Sequence, residues 1–457
     1  MPNANTERKI YTAGTLRYTM PQLIITCFWV ICSLLSLNLL AYKMVPTMMP
    51  LLFDRHHISA TMMAIILSTV PSLLNLIINP ILSTMSDKTR TKWGRRIPYL
   101  AISTPFIVFF MILIGFEPDL TKWIQQVFFP GKGEDQVGFW VLACLTILFQ
   151  ISYLVPGSIA CYIYADVVPK QFIGTFMGIC TFLGTGITFV FNYFILSPAV
   201  NNPKLFFPLI GGIYFISYLC LTLFVKEGSY PPVDDKIEPN TKFLDKARNY
   251  IRLYFKECCS HRIYVMLFVT LGLTQASTFC RNAFNLLFAT KDLHMSAAEF
   301  GKTMAIGAVV SAVVVLPMGK VMDKIHPIRV FLFSGLIVII MNIWGYFCVK
   351  DTKSFMFIGI SIVLIYAIQN LSINPLLIDI VPMDKFGQFA SANALVNCGI
   401  MLIASTLGGY FTDLYGYRMI FIWDFFVTIV ATFALLIVYK DWKRLGGQEH
   451  YTPPKLY

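Results

Sequence analysis

Apolar residues run in twelve long blocks along the 457-residue chain, separated by shorter polar segments that hold most of the charge. A block of roughly 20 such residues crosses the hydrocarbon of a bilayer as an α-helix, because only there does each backbone group find its partner within the segment. The blocks begin near Pro21, Ala60, Pro98, Gly138, Phe172, Lys204, Ile263, Ala298, Ile328, Ser354, Gln388 and Arg418. None shows the period-two alternation of a membrane β-strand. The pattern predicts an all-α membrane protein with twelve transmembrane helices.

Composition agrees: 56% of residues are hydrophobic and 13% charged, against about 25% charged in soluble domains. Twelve spans put both termini on one side, and most of the 36 Lys and Arg residues fall on that side. By the positive-inside rule both termini are expected in the cytoplasm, in a multi-pass protein of the cell (inner) membrane. The net charge of +12 has the same origin and calls for no nucleic-acid partner, since its cations are spread over loops at the membrane surface. No cleavable signal peptide is expected ahead of the first span. The eleven cysteines are scattered without metal-ligand spacing, the His56-His57 pair is expected to be solvated in an outer loop, and no phosphate-binding loop, dinucleotide fingerprint or HExxH pattern occurs. No enzyme chemistry, metal or cofactor is expected.

The chain repeats itself. Asp166 to Phe176, "DVVPKQFIGTF", recurs as Asp379 to Phe389, "DIVPMDKFGQF"; Ser83-x-Met85-x-Asp87-Lys88 recurs as Gly319-x-Val321-x-Asp323-Lys324. Two six-helix pseudo-repeat bundles follow: residues 1–226 and 263–439, joined by a cytoplasmic linker at 227–262 and ended by a cytoplasmic tail at 440–457. The linker stretch "FLDKARNYIRLYF" reads equally as an amphipathic surface helix or a solvated tether. Parallel repeats of this kind place a binding site between the halves near the bilayer midplane, reached alternately from either side.

With these features the sequence resembles the major facilitator superfamily over essentially its whole length. "SDKTRTKWGRRIPYL", with Asp87, Trp93-Gly94-Arg95-Arg96, Pro98 and Tyr99, resembles the loop between the second and third spans of the glycoside-pentoside-hexuronide:cation symporters and the related sucrose-transporter-like carriers. The resemblance implies the major facilitator fold and a cytoplasmic gate built on Asp87, with Arg95 or Arg96 engaging Asp166 and with Asp323 and Asp379 in related roles. Solvated loop ends are the alternative. In melibiose-carrier-like relatives two aspartates before the second-span proline form a sodium site; the matching positions here are Asn75 and Asn79, which neither lose a proton nor bind sodium strongly. The first-span acid that serves sugar binding in that branch is replaced by Asn38 or a near neighbour.

Polar groups inside the membrane need a partner or a wet cavity. Ser68, Ser72, Asn75 and Asn79 lie on one face of the second span, and Thr181, Thr185, Thr188 and Asn192 on one face of the fifth, where packing between helices is the preferred reading. Lys43 and Arg281 each sit about nine residues, roughly 13 Å, from the outer end of a helix and are repeat equivalents. They are candidates to face each other and bind an anionic group such as a uronate; alternatively each snorkels or pairs with a buried acid, of which Asp424 is the deepest. Gln150, Tyr153, Gln275, Thr278, Gln369, Asn370 and Asn374 supply donors and acceptors suited to sugar hydroxyls, or bonds to neighbouring helices. Pro46, Pro50, Pro156 and Pro375 are expected to kink or break their helices.

The expected function is secondary active transport of a sugar or glycoside, acidic or neutral, by alternating access. Proton symport is the first expectation, with Asn75, Asn79 and Asp424 as coupling candidates and H+ or Na+ as the ion. A facilitated-diffusion uniporter, a lipid-handling carrier and a non-transporting sensor are the alternatives. The expected partners are a small-molecule sugar and the lipid bilayer, and the expected state is a monomer.

Overall fold

The computed structural model describes residues 10–228 and 256–454, which excludes most of the linker and its candidate amphipathic stretch. Among the described residues twelve helices are long and apolar enough to cross a membrane: Met20–Arg55, Ala60–Leu82, Ile97–Gly115, Glu134–Ile159, Ile173–Asn201, Pro203–Phe224, Arg262–Asp292, Ala297–Met322, Pro327–Cys348, Thr352–Ile380, Phe386–Tyr415 and Met419–Arg444. Each starts within four residues of its predicted start. Proline at the first helical positions opens the first, third, sixth and ninth spans, where its missing N–H costs nothing.

Two units separate by internal packing. The first comprises residues 10–48 and 77–228. Its third span packs on the fourth and sixth, and its first span on the fifth and sixth. A short hairpin, β1 (Tyr11–Ala13) and β2 (Leu16–Tyr18), precedes the first span and sets Tyr11 edge-on to Phe172 at 5.4 Å. An amphipathic helix, Glu117–Phe128, lies against the fourth span.

The second unit comprises residues 49–76 and 256–454. Its seventh span packs on the eleventh and twelfth, its tenth on the eighth and ninth. Tyr264, Phe268, Leu376, Phe389 and Trp442 centre a buried apolar cluster. The outer half of the second span belongs here, because Ala60–Thr69 packs along the eleventh span. That helix therefore runs from one unit into the other.

The prolines do not break helices. Pro50, Pro156 and Pro375 lie inside continuous helix, and Pro46 is the second residue after the π-helical turn at Asn38–Met44. Further π turns occupy Ile65–Thr69, Phe191–Ile195 and Phe288–Asp292. A π turn absorbs one extra residue and widens the helix locally, a device frequent at functional positions.

Candidate functional site

In the second unit four spans converge on Asp424. Its side chain is fully buried and Arg281 is 6% exposed. Arg281 donates from Nε and Nη2 to Asp424 Oδ2 at 3.3 and 3.2 Å, and from Nη2 to Asn342 Oδ1 at 2.5 Å. Asn342 Nδ2 donates to the same carboxylate at 3.0 Å, the hydroxyl of Tyr366 does so as well, and Thr428 donates to Oδ1 at 3.2 Å. The guanidinium lies over the Phe421 ring, 5.0 Å from its centroid. Arg281 is thus neutralised inside its own unit, which is the pairing with a buried acid weighed above. The other alternative, a substrate anion, finds this guanidinium already engaged. Isolated charges cannot persist at this burial, so the donors around Asp424 are what permits it to be there.

The remaining candidates divide by helix face. On the seventh span Gln275 is exposed and Thr278 half-buried, the latter donating to the Gln275 carbonyl at 3.0 Å. On the tenth, Asn370 and Asn374 are exposed while Gln369 is buried. Gln369 lines a small pocket with Thr274, Ser277, Thr428 and Thr432 beside Phe331 and Leu435, about 10 Å³ in volume, the room of one water. It does not share a face with Asn370.

In the first unit Lys43 sits in the Asn38–Met44 π turn, half-buried and with no ion pair to any described residue. Asn38 Oδ1 is buried with no hydrogen bond to any described residue. Gln150 and Tyr153 are half-buried on the fourth span, the Tyr153 ring parallel to Phe149 at 6.2 Å. Asn79 accepts from Ser158; on the part of the same helix that belongs to the second unit, Asn75 donates to the Pro71 carbonyl at 3.0 Å. Thr181, Thr185, Thr188 and Asn192 each donate to a carbonyl one turn back in their own helix.

The loop before the third span is built around a carboxylate that its motif does not contain. Glu227 accepts from the backbone N–H of Arg95 at 2.8 Å, Arg96 at 2.9 Å and Ile97 at 2.7 Å, completing the start of the Ile97–Gly115 helix. Gly94 has φ +112°, and a Cβ there would lie 2.7 Å from Glu227, so the glycine of Trp93-Gly94-Arg95-Arg96 is required twice over. The side chains turn to Asp166: Arg95 donates to both its oxygens at 2.9 and 3.0 Å, and Arg96 Nε is 3.1 Å away. At the repeat-equivalent place His326 Nε2 stands 3.7 Å from Asp379. Glu257 takes the part of a clasp there, accepting from Lys385 at 2.8 Å and Gln388 at 2.9 Å. The side chains of Asp87 and Asp323 lie outside the described residues.

His326 carries a pH prediction. Burial first, and the neighbouring Arg329 second, lower its pKa below the ordinary value; the Trp442 ring and Asp379 are its other close neighbours. The unfolded chain therefore binds this proton more readily than the folded one, and the contribution is complete above about pH 6.5 and lost as pH falls below it. Thermal unfolding between pH 5 and 8 is expected to show that slope, flattened in His326→Gln. Greater stability at acid pH would mean instead that protonated His326 grips Asp379.

Sequence reasoning missed Asn342, Tyr366, Glu227 and Glu257. Asn342 was open to the same argument as the other intramembrane amides, and Glu227 stands alone at the end of the sixth span.

Comparison with known proteins agrees with this architecture. The model described as Major Facilitator Superfamily matches residues 267–451, and the one described as MFS/sugar transport protein matches residues 18–130. Comparison with curated protein sequences returns no match. Among solved structures the chain is similar to a bacterial homologue of the human lysosomal transporter Spinster in an inward-facing, unoccupied conformation, at 13% identity and TM-score 0.66, covering 95% of this chain and 98% of that one. It is likewise similar to the nucleoside transporter NupG, at 12% identity and TM-score 0.63 over 92% of this chain and 100% of that one. The peptide transporter POT in complex with sulfate follows, at 14% identity and TM-score 0.61 over 93% and 94%. At such identities the likeness is one of fold.

Proposed function

The chain belongs to the major facilitator superfamily, and from that premise we propose that it is a proton-coupled transporter of a sugar or glycoside, with both termini in the cytoplasm. One observation carries the substrate class. With Arg281 neutralised by Asp424, the candidate residues that stay half-buried or exposed on the fourth, seventh and tenth spans are neutral: Gln150, Tyr153, Gln275, Thr278, Asn370 and Asn374. Amides and hydroxyls beside a flat ring suit hydroxyl-rich ligands, whose O–H groups need directional bonds and whose C–H faces need apolar surface. Lys43 adds one cation without an ion pair among the described residues, fit for a substrate carboxylate. The match of residues 18–130 to a sugar-transport model supports the same class. Sodium coupling at Asn75 and Asn79 is disfavoured by their neutral amides, and Asp424 is the one acid among the three coupling candidates.

The test is uptake by vesicles containing the purified chain, over a panel of neutral and acidic sugars, with imposed proton or sodium gradients. Accumulation of at least one sugar under an inward proton gradient, and none under sodium alone, is expected; no sugar moving under either gradient would defeat the proposal. A second reading, a lipid-handling carrier, is favoured by an apolar crevice of about 600 Å³ between the first and fifth spans, lined among others by Leu23, Cys27, Ile31, Phe176 and Ile179. The same vesicles loaded with a fluorescent single-chain lipid distinguish it, because only that carrier moves the lipid between leaflets.

A further inference from the structure

The second and eighth spans open with the same residues, Ser59-Ala60 and Ser296-Ala297, yet their first turns are completed differently. Every helix begins with unpaired N–H groups that need acceptors. In the eighth span the acceptors are local: the Ser296 hydroxyl caps Glu299 N, and Glu299 reaches back to Ser296 N at 2.9 Å and its hydroxyl at 2.8 Å. In the second span Ser59 caps Met62 N, but Met62 stands where Glu299 does and carries no acceptor. The missing carboxylate comes from the eleventh span. Asp413 accepts from Ala60 N at 2.5 Å, from Thr61 N at 2.8 Å and from the Thr61 hydroxyl.

The contact continues as a seam. A Cβ at Gly409 would lie 2.7 Å from the Ala60 carbonyl oxygen, 2.7 Å from Ala64 Cβ and 2.8 Å from Thr61 Cα, so the backbones touch and only glycine fits. Further along, the Thr69 hydroxyl bonds Ser405 at 2.8 Å and Thr406 at 2.9 Å. Beyond the seam Lys291 pairs with Asp54. The hydrogen bonds of the seam come from small polar groups, with Asp413 exposed and Thr61 and Thr69 half-buried, while Ala60, Ala64 and Ser405 between them are buried. Separating such a seam strands few polar groups, because water replaces Asp413 at the freed amides and the Ser405 and Thr406 hydroxyls already donate to the Met401 and Leu402 carbonyls of their own helix.

We propose that Asp413 and Gly409 form a releasable latch between the second and eleventh spans, closing the protein on the face opposite its termini and opening once per transport cycle. The helix cap is supplied from another span so that it can be withdrawn. This inference rests on the transporter reading, but its test needs no substrate. In the full-length protein in lipid nanodiscs, Thr69→Cys and Ser405→Cys are introduced together, and disulfide formation under copper phenanthroline is followed by peptide mass spectrometry. The parent pair is expected to cross-link nearly completely. Adding Asp413→Ala, Gly409→Leu or Met62→Glu is expected to slow cross-linking at least threefold, the last by setting a second carboxylate against Asp413. Asp413→Asn, which keeps one acceptor, falls between. Met62 is exposed, so its variant keeps the fold. Rates unchanged from the parent in both Asp413→Ala and Met62→Glu would overturn the latch, whatever the vesicle assays report about transport.

Discussion

Replacing Asp424 with alanine is expected to cost about 3–5 kcal/mol of folding stability, the largest single effect foreseen in this protein. The reason is what the substitution leaves behind. Arg281 is 6% exposed, and its guanidinium would be left beside Asn342 and the Phe421 face with no acid among its described partners. Arg281→Met should cost a similar amount by stranding the carboxylate. The double variant Arg281→Met, Asp424→Leu removes both charges and fills the space, and is expected to regain stability to within about 1 kcal/mol of the parent. Denaturant unfolding of the four proteins in detergent measures this directly. If each single variant were as stable as the parent, water would have to reach the pair.

The same set separates structure from coupling. Should the double variant fold and yet fail to accumulate sugar against a proton gradient, the charges serve transport beyond holding four spans together. Arg281→Gln is expected to reduce uptake of neutral and acidic sugars alike, since it disturbs the packing of the seventh, ninth, tenth and twelfth spans. A loss confined to acidic sugars would return Arg281 to the substrate.

Much of this was legible along the chain because membrane spans are written in long apolar runs punctuated by proline and charge. The starts of all twelve followed from that alone. The buried partner of Arg281 was legible as one of two alternatives, because so few charges lie deep enough to choose between. Faces were harder. Successive residues on a helix point about 100° apart, so Gln369 and Asn370 are neighbours in sequence while one is enclosed among helices and the other is exposed. Which amide meets which span depends on helix rotation, and apolar runs with little amphipathicity do not encode it. The Asp413 cap was hidden for another reason: its signal is an absence, the missing acid at Met62, visible only beside the eighth span.

Glu227→Ala is expected to be the second large effect, about 2–3 kcal/mol, because one carboxylate accepts from three consecutive amides at a helix start. Hydrogen exchange reads it where it acts. The amides of Arg95, Arg96 and Ile97 should exchange about 30- to 150-fold faster in the variant, with Glu227→Gln intermediate. Asp166→Asn separates two layers of the same loop. If Glu227 fixes the backbone and Asp166 only receives the side chains that this backbone aims, Asp166→Asn leaves the three amides protected, whereas Glu227→Ala loosens the contacts of Arg95 and Arg96 with Asp166 as well. Equal loss of protection in both variants would mean that the loop is held by its ion pairs, and that the glycine of Trp93-Gly94-Arg95-Arg96 serves the turn alone. The ordering matters for a gate: a clasp whose side chains let go while its backbone stays pinned closes again without refolding the loop.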